Sequence, residues 1–378
     1  MYDNSPKSKY SVRNILIDNN NWEKYKLFHR AELKDYQIEE IDAMISCQDP
    51  ANGFMVVHCD RCNEDFTIHK SCNSRICPRC GNKYVKRWVE RTTERMHDAE
   101  YSHIVFTLPR EIWKLIEGKW DCISELYRTV FKVLKEVMSA SAKQKITPGM
   151  IEAGHTFGQD IKWNVHFHTI CTEGGSTKNG FWKHVYYLPY RMMRMKWKYA
   201  SLEVIEKYAE SMEEQMALEA MRHDYLNGFD IKRIKGKMQK KELAWYIARY
   251  IRHPPISNRR IVSYNRNIVV ILCENKETKR KWYEEFTVEE FISRLVKHIP
   301  PKGFQVVRHY GIYSKKKYER KRIVKDKQEI IQNYLGKKFI KCPKCGENAE
   351  IIFFYKPDYR EKPPPKTIFG SVLNDWIS

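Results

Sequence analysis

Two histidines separated by one phenylalanine are the residues whose type and spacing most directly suggest chemistry in this chain. They are His166 and His168, in a predicted strand that follows a glycine turn. Side chains at i and i+2 of a strand point to the same face of a sheet, so both imidazoles can bind one divalent metal ion. The chain has 13 histidines, so a pair with this spacing also arises by chance. A structural pair bonded to backbone is therefore the plainer alternative.

A hairpin folded about residues 161–162 supplies a third candidate ligand for the same metal. In this register His155 lies across from His168 and on the same face. Gln159 is the alternative third ligand if the turn is longer. Three protein ligands leave coordination positions open for substrate oxygens, as in catalytic metal sites.

Two C-x-x-C turns that precede these histidines predict a structural zinc site. The four predicted ligands are Cys59, Cys62, Cys77 and Cys80. Each turn presents two thiolates to one ion, and two such turns complete a tetrahedron around Zn²⁺. His69 and Cys72 lie nearby in sequence and are additional candidates, which could replace one pair or build a second site. Free buried thiols are the alternative.

A further C-x-x-C turn, Cys342 to Cys345, lies near the end of the sequence and has no second pair after it. A metal ion there would need partners from elsewhere in the chain, such as Cys273 or a histidine. We therefore expect a knuckle without metal.

Two tyrosines follow the histidine hairpin in a segment, 240–252, that is predicted to be helical. Tyr246 and Tyr250 are spaced i and i+4, so both hydroxyls emerge from one helix face. Among 23 tyrosines this spacing arises easily by chance, and core packing is the alternative. Beside a metal-binding hairpin, the pair indicates two nucleophiles aimed at a phosphodiester.

The charge balance indicates an anionic partner. The chain has 68 Lys and Arg against 47 Asp and Glu, a net charge of +21, which favours nucleic acid or an anionic membrane surface. The sequence has no run of 18 apolar residues, so we predict no membrane span. The first residues lack the apolar core of a signal peptide. We expect a cytoplasmic protein whose 11 cysteines are thiols or metal ligands.

The predicted helices and strands that position these residues do not alternate regularly, as they would in a doubly wound sheet. We predict a strand at 103–109, a helix at 111–143, a hairpin at 148–173, a helix at 196–225, strands within 261–273 and a helix capped by Thr287 and Glu290. This pattern predicts an α+β fold, an antiparallel-sheet core with packed helices, preceded by a small helical and zinc-binding module. We place domain boundaries at 1–98, 99–314 and a basic C-terminal tail, 315–378.

Short sequence blocks through most of the chain resemble one family. The blocks are Ser71 to Cys80, His103 to Pro109, His155 to Gly158, His166 to His168, Tyr246 to Tyr250, Arg252 to Asn258, His298 to Pro301, and Arg308 to Gly311. In number and order they resemble the two-tyrosine, HUH-type rolling-circle transposases of the insertion-sequence-91 family. The resemblance implies metal binding by His166 and His168 and nucleophilic attack by Tyr246 and Tyr250. It does not assign the third metal ligand.

The resemblance also implies a reaction and its partners. Single-stranded DNA at transposon ends, including hairpin DNA, is nicked and rejoined through 5′-phosphotyrosine links, with Mg²⁺ or Mn²⁺ and without ATP, in the prokaryotic cytoplasm. The predicted DNA-binding residues are Arg87, Trp88, Arg249, Arg252, Arg259 and Arg260. One alternative is a plasmid or phage replication initiator, or a relaxase, with the same chemistry. The other is a catalytically inactive zinc-dependent DNA-binding protein.

Overall fold

The computed structural model describes residues 9–72, 74, 76–80, 92, 96–238, 254–275, 278–314 and 339–355. Within these ranges the chain forms eight α-helices and thirteen strands, and every strand pairing is antiparallel. The predicted α+β class is confirmed.

The elements are numbered here in chain order. The helices are α1 (Val12–Ile17), α2 (Asn21–Phe28), α3 (Asp35–Ile45), α4 (Arg110–Leu115), α5 (Trp120–Ser141), α6 (Tyr190–Glu206), α7 (Met212–Asp224) and α8 (Val288–Lys297). The strands are β1 (Phe54–Cys59), β2 (Glu64–His69), β3 (Tyr101–Thr107), β4 (Thr147–Phe157), β5 (Trp163–Ser176), β6 (Trp182–His184), β7 (Ile231–Met238), β8 (Ile261–Tyr264), β9 (Ile268–Glu274), β10 (Lys281–Thr287), β11 (Val307–Gly311), β12 (Phe339–Lys341) and β13 (Asn348–Tyr355).

The largest sheet has six strands in the order β11-β4-β5-β3-β7, with β6 paired to β5. Helix α5 covers one face, because its apolar side chains recur at helical spacing and pack on the odd-numbered residues of β5. The ring of Tyr127 in α5, for example, meets Phe167 at 5.0 Å. Successive residues of a strand alternate between faces, so His166 and His168 point to the face opposite α5.

The register of the histidine hairpin differs from the prediction. We expected His155 across from His168, but the structure pairs His155 with His166 and Ala153 with His168. The reason is a longer turn at 158–162, closed by the Gly158 N–H donating to the Lys162 carbonyl at 3.0 Å. A shift of two residues keeps the parity of a strand, so the three histidines still share one face.

A three-stranded sheet, β10-β9-β8, joins the N-terminal helices to the later part of the chain. Helices α1 to α3 bury their apolar side chains with this sheet and α8 in one core, which includes Trp22, Ile41, Ile271 and Phe291. Thr287 and Glu290 form the predicted capping box at the start of α8.

A four-stranded sheet has the order β12-β13-β1-β2 and joins distant parts of the sequence. Strand β13 pairs with β1, with His58 opposite Glu350. The domain boundaries after residues 98 and 314 stay predictions, and the packing of both smaller sheets crosses them.

Two predicted helices are each divided in two. Gly118, at φ 75°, separates α4 from α5, and residues 207–211 separate α6 from α7. The predicted strands around residues 265–267 are confirmed as β8 and β9. No helix among the described residues is long and apolar enough to cross a membrane.

Candidate active site and metal centres

Three histidines meet on the face of the large sheet that α5 leaves uncovered. His155 comes from β4, and His166 and His168 come from β5. Their candidate ligand nitrogens all lie within 4.8 Å of one another. His155 is buried at 8% exposure, and the other two are half-buried, so the group opens toward solvent on one side only. Three imidazoles with a partly open side can hold a metal ion and leave room for a substrate oxygen.

Hydrogen bonds at the outer ring nitrogens orient two of these imidazoles. The Nδ1 of His166 lies 3.0 Å from the carbonyl oxygen of Asn164, which can only accept, so Nδ1 carries the proton. The Nδ1 of His168 lies 3.0 Å from the Nε2 of His103. Both bonds therefore direct the remaining ring nitrogen, Nε2, toward the shared space, as partners of metal-bound histidines do.

His103 contacts one of the three histidines and was not among the residues predicted from the sequence. It lies on β3, beside β5, at 1% exposure, and burial lowers its pKa to about 4. The ring is therefore neutral, and one of the two facing nitrogens must carry the single proton of that bond. If His168 binds a metal through Nε2, its Nδ1 donates and the Nε2 of His103 accepts. Strand alternation relates the two residues. His103 and Val105 point to the same face of the sheet, and Val105 pairs with His168.

The turn that joins β4 to β5 is held by side chains from the C-terminal half of the domain. Arg260 donates to the Gln159 carbonyl, and Arg294 donates to the Asp160 carbonyl at 3.0 Å. These bonds fix the backbone of Gln159 in the turn. The structure groups His155 with the two predicted ligands.

His298, the residue after α8, anchors the same turn. Its Nε2 donates to the Ile161 carbonyl at 2.9 Å, and its Nδ1 accepts from the Thr156 hydroxyl at 3.0 Å. Its ring stacks on Trp163 at 5.6 Å. Burial lowers the pKa of His298 to about 4, so the ring stays neutral. The sequence block at His298 therefore has a positioning role that spacing alone did not reveal.

Arg260 was predicted to bind DNA, and the structure shows its guanidinium bonded within the protein, so its contact with DNA stays a prediction. Its guanidinium is half-buried and donates to the carbonyls of Leu272 and Gln159. The bond to Gln159 links the segment after residue 254 to the hairpin turn. Arg259 is exposed, and its predicted contact with DNA stays a prediction. Tyr264, another tyrosine near this region, donates to Asp18 at 2.9 Å.

Several predicted site residues lie outside the described part of the chain. They are Tyr246, Tyr250, Arg87, Trp88, Arg249 and Arg252. Their roles stay predictions.

The cysteines form two groups of four, and neither is the predicted set. One group is Cys47, Cys72, Cys77 and Cys80, and the other is Cys59, Cys62, Cys342 and Cys345. The prediction of one site from Cys59, Cys62, Cys77 and Cys80 is therefore wrong. Cys342 and Cys345, where we expected a knuckle without metal, lie beside Cys59 and Cys62, and their group contains neither Cys273 nor a histidine. His69 belongs to neither group, whereas Cys72 belongs to the first.

The error has a topological cause. Cys59 ends strand β1 and Cys62 lies in the turn to β2, and both belong to a different group from Cys77 and Cys80. Cys47 follows α3, which the shared N-terminal core holds beside the segment 76–80. A lone cysteine after a helix carries no spacing signal, and a pairing 280 residues away cannot be read from local sequence.

The first group has the dimensions of a tetrathiolate zinc site. The sulfur of Cys80 lies 3.6 Å from that of Cys47 and 3.5 Å from that of Cys72, and Cys77 lies 3.9 Å from Cys47. A tetrahedron with Zn–S bonds of about 2.3 Å has S···S edges of about 3.8 Å.

A buried carboxyl lies in the same sheet, on the face that α5 covers. Glu152 is on β4 at 0% exposure, and neither of its oxygens has a hydrogen-bond partner among the described residues. Burial raises its pKa well above the usual range, and the nearby Arg308 opposes the shift. The carboxyl is thus held near Tyr127 and away from the histidines.

Comparisons with known proteins agree with this arrangement of a cysteine-rich module and a histidine-bearing sheet. Residues 17–108 match a family described as "Transposase zinc-binding domain", and residues 149–321 match one described as "Putative transposase". No solved structure gives a significant match.

Two curated relatives cover most of the chain. The "Transposase for insertion sequence element IS801" of Pseudomonas savastanoi pv. phaseolicola is 24% identical, over 79% of this chain and 75% of the relative. The "Putative transposase y4qJ" of Sinorhizobium fredii (strain NBRC 101917 / NGR234) is also 24% identical, over 87% of this chain and 92% of the relative. With the two domain matches in this order, these relatives show that the chain belongs to the insertion-sequence-91 family of transposases and carries an N-terminal zinc-binding domain.

Proposed function

We propose that this transposase nicks and rejoins single-stranded DNA at transposon ends by rolling-circle chemistry, through 5′-phosphotyrosine intermediates and with a divalent metal ion. The observation that carries the proposal is the group of three histidines on one face of the central sheet. Their orientation by Asn164 and His103 is typical of metal ligands.

His155, His166 and His168 would hold the metal, and the donor set suits Mn²⁺, or Mg²⁺ that keeps several waters. A bound divalent ion supplies charge stabilisation to a non-bridging phosphate oxygen and fixes the orientation of the phosphodiester. The chain contributes the rigid frame. The hairpin turn is tied to Arg260, Arg294 and His298, so the three ligands come from strands that cannot shift independently.

Tyr246 and Tyr250 would supply the nucleophiles. The phenolic oxygen of one tyrosine attacks the scissile phosphorus, the phenolic proton passes to solvent, and the bond to the 3′ oxygen breaks. The 5′ phosphate is then linked to tyrosine, and a protonated 3′-OH is released. The link retains the energy of the phosphodiester, so the reverse reaction rejoins strands without ATP. Two tyrosines allow a second transfer before the first link is resolved.

The described residues on either side of the tyrosine segment support this role. Met238 ends β7 and pairs with Tyr101, at the end of the sheet remote from the hairpin turn. Arg260 follows the tyrosine segment and bonds to Gln159 in that turn. His168 lies on β5 between these two ends of the sheet.

Zinc in the proposed account has a structural role. Cys47, Cys72, Cys77 and Cys80 would bind one Zn²⁺ and fix the segment 76–80 to the end of α3. Closed tetrathiolate sites of this kind leave no position for substrate. The ion would therefore hold the module that carries Arg87 and Trp88, and DNA contacts would come from the protein.

DNA binding would rest on the positive charge of the chain. The net charge of +21 matches a polyanion, and binding should weaken steeply as salt rises. We place the protein with the DNA in the prokaryotic cytoplasm.

The experiment that tests this function is cleavage of labelled single-stranded DNA from the ends of the element that encodes the protein. We expect cleavage with Mn²⁺ in the wild type. The variants His166→Ala and His168→Ala should lose at least about a hundredfold in rate, because each loses transition-state stabilisation of several kcal/mol. His223→Ala, which removes an exposed histidine from α7, is the matched control. Cleavage that is unchanged in the His166 and His168 variants would contradict the proposal.

A further inference from the structure

The second group of cysteines connects the two ends of the described chain. We propose that Cys59, Cys62, Cys342 and Cys345 bind a second structural zinc ion, which fixes residues 339–355 to the N-terminal hairpin. Neither family match includes the later pair, because the matches end at residues 108 and 321. The proposal is independent of the catalytic chemistry.

The distances between the four sulfurs fit one ion. The sulfur of Cys59 lies 3.6 Å from that of Cys345, and the sulfur of Cys62 lies 3.9 Å from that of Cys342. Both values match the edge of about 3.8 Å expected for a tetrahedron of thiolates around zinc. They also exclude disulfides, whose sulfurs are separated by about 2.05 Å.

Backbone geometry gives each pair the form of a zinc knuckle. The Cys62 N–H donates to the Cys59 carbonyl at 3.1 Å, and the Gly346 N–H donates to the Cys342 carbonyl at 3.0 Å. The Lys344 N–H also points to the sulfur of Cys342, at 3.4 Å. Gly346 adopts φ 78°, which lets the second turn close tightly.

The sheet topology brings the two knuckles together. One knuckle lies at the turn from β1 to β2 and the other at the turn from β12 to β13. Strand β13 runs antiparallel to β1, so the start of β13 lies beside the end of β1, as the pairing of His58 with Glu350 shows. Paired hairpins that present C-x-x-C turns at one end have the architecture of a zinc ribbon.

The apolar core of this sheet is small. Its fully buried residues are Met55, Val57, Cys59, Cys342 and Ala349. Two of these five are the proposed ligands themselves, and the other apolar residues of this core, Phe66, Ile68, Ile340 and Ile351, are only partly buried, so a metal would add to its stability. Closing a chain segment of 280 residues costs conformational entropy, which the bonds to the metal would offset.

The test is the zinc content of the full-length protein, purified without chelator from cells grown with added zinc. We expect about two zinc ions per chain, one for each tetrathiolate. The variant Cys342→Ser/Cys345→Ser should retain about one ion. The control Cys122→Ala/Cys171→Ala removes two buried thiols that lie outside both groups and should retain both ions. One ion in the wild type, or two in the serine variant, would overturn the proposal.

A second measurement covers the case in which the serine variant does not fold. The wild type is treated with iodoacetamide before and after chelation, and alkylation of Cys62 and Cys345 is followed by mass spectrometry. Both side chains are partly exposed, so zinc-free thiols would react from the start. Protection that disappears on chelation supports the zinc site, and alkylation without chelator contradicts it.

Three aromatic side chains alternate along β6 and the residues just after it. The rings of Trp182 and His184 have centroids 6.2 Å apart, and those of His184 and Tyr186 are 6.0 Å apart with planes only 22° from parallel. Val185 between them is buried, so alternate side chains point outward. We call Trp182, His184 and Tyr186 the aromatic ladder.

The ladder is exposed and anchored at one end. Tyr186 is 94% exposed, and Trp182 is 36% exposed. Trp182 lies on Gly174 of β5, where a methyl group would come within 2.9 Å of the indole ring. Surface aromatic groups of this size are usually part of a binding site.

The charge around the ladder indicates the class of partner. Residues 174–202 contain six Lys and Arg and no Asp or Glu, although Arg194 and Lys196 pair with Asp230 and Glu136 and Lys198 is buried. Lys178 and Lys183 are exposed, and no ion pair among the described residues includes either of them. Exposed aromatic rings beside cations are features with which proteins bind single-stranded nucleic acid.

We infer that the aromatic ladder stacks with bases of single-stranded DNA that extends from the cleavage site. This inference rests on the proposed function. Gly174, which pairs with His184, is six residues along β5 from His168, a distance of about 20 Å. The ladder would thus bind the strand several nucleotides from the phosphate held at the histidines.

The test is binding of fluorescent oligothymidine, measured by anisotropy without divalent ions. We expect Tyr186→Ala to weaken binding at least about fivefold, because stacking on one ring is worth about 1–3 kcal/mol. Tyr186→Phe keeps the ring and should bind as the wild type does. Tyr283→Ala, which removes a tyrosine that is 66% exposed on β10, is the matched control.

Salt dependence and duplex binding complete the experiment. Tyr186→Ala should leave the slope of affinity against salt unchanged, whereas Lys178→Ala/Lys183→Ala should reduce it. Equal binding by Tyr186→Ala and Tyr283→Ala would overturn the inference, as would an equal loss on duplex DNA. Failure of the proposed function is separate, because it is seen as absence of cleavage in the wild type whatever the ladder variants do.

Discussion

Replacing His103 with leucine tests whether the hydrogen bond behind His168 prepares that residue to bind metal. His103 lies at 1% exposure, and its Nε2 lies 3.0 Å from the Nδ1 of His168. Leucine fills a similar volume but offers no acceptor. The Nδ1–H of His168 then has no partner at that position, and its ring is free to rotate or to change tautomer.

The expected effect follows from the role of such bonds at metal sites. Loss of a hydrogen-bond partner of a ligating histidine costs about 10- to 100-fold in metal affinity, which corresponds to about 1.4–2.7 kcal/mol. His103→Gln is the matched variant, because its side-chain oxygen can accept from His168 near the position of the lost Nε2. We expect the glutamine variant to retain most of the wild-type affinity.

The assay is titration of Mn²⁺ into the zinc-loaded protein, followed by electron paramagnetic resonance of free Mn²⁺. Circular dichroism of each variant checks that the fold is retained. A folded His103→Leu variant that binds Mn²⁺ as tightly as the wild type would refute the reasoning. Equal weakening by leucine and glutamine would show that volume, and not the hydrogen bond, matters at this position.

Three further predictions concern the rest of the frame. The variant Cys47→Ser/Cys77→Ser should lose about one zinc ion per chain, measured by plasma mass spectrometry. It should also be less stable, because the ion would fix α3 to the segment 76–80. An unchanged zinc content would contradict this prediction. Glu152→Gln should become more stable relative to the wild type as pH rises, because the raised pKa of Glu152 means that folded protein keeps a proton which unfolded protein releases above about pH 4.3. Below the pKa of Glu152 in the folded protein, the difference in unfolding free energy between the variant and the wild type should grow by up to about 1.4 kcal/mol per pH unit. Urea unfolding at several pH values measures this difference, and a constant difference would contradict the prediction. The variant His298→Leu removes the ring nitrogens that bond to the Ile161 carbonyl and the Thr156 hydroxyl. It should lower the free energy of unfolding by about 1–3 kcal/mol. An unchanged urea midpoint would show that other contacts hold the turn.

Local patterns in the sequence predicted the main elements well. The alternation of apolar and polar residues, together with the turn residues, predicted the histidine hairpin. The capping-box residues predicted the start of α8. Parity placed His155, His166 and His168 on one face although the register was displaced by two residues. Helical spacing was less reliable for ends, because a break such as that at Gly118 needs only one residue.

The features that the sequence did not reveal are those made by distant contacts. Cys342 and Cys345 meet Cys59 and Cys62 only because β13 pairs with β1, and no spacing rule covers 280 intervening residues. The charge of Arg260 is visible in the sequence, and its carbonyl partners are not. Burial and pairing decide whether a cation is structural or available, and both depend on the fold.

The most direct test of the central claim is identification of the residue that becomes linked to DNA. The wild type is incubated with Mn²⁺ and single-stranded DNA from the transposon ends, digested, and examined by mass spectrometry. We predict a 5′ phosphate on Tyr246 or Tyr250, and no adduct in Tyr246→Phe/Tyr250→Phe, which should bind the same DNA almost as tightly as the wild type. An adduct in that double variant, or one that maps to another residue such as Tyr264, would contradict the two-tyrosine mechanism.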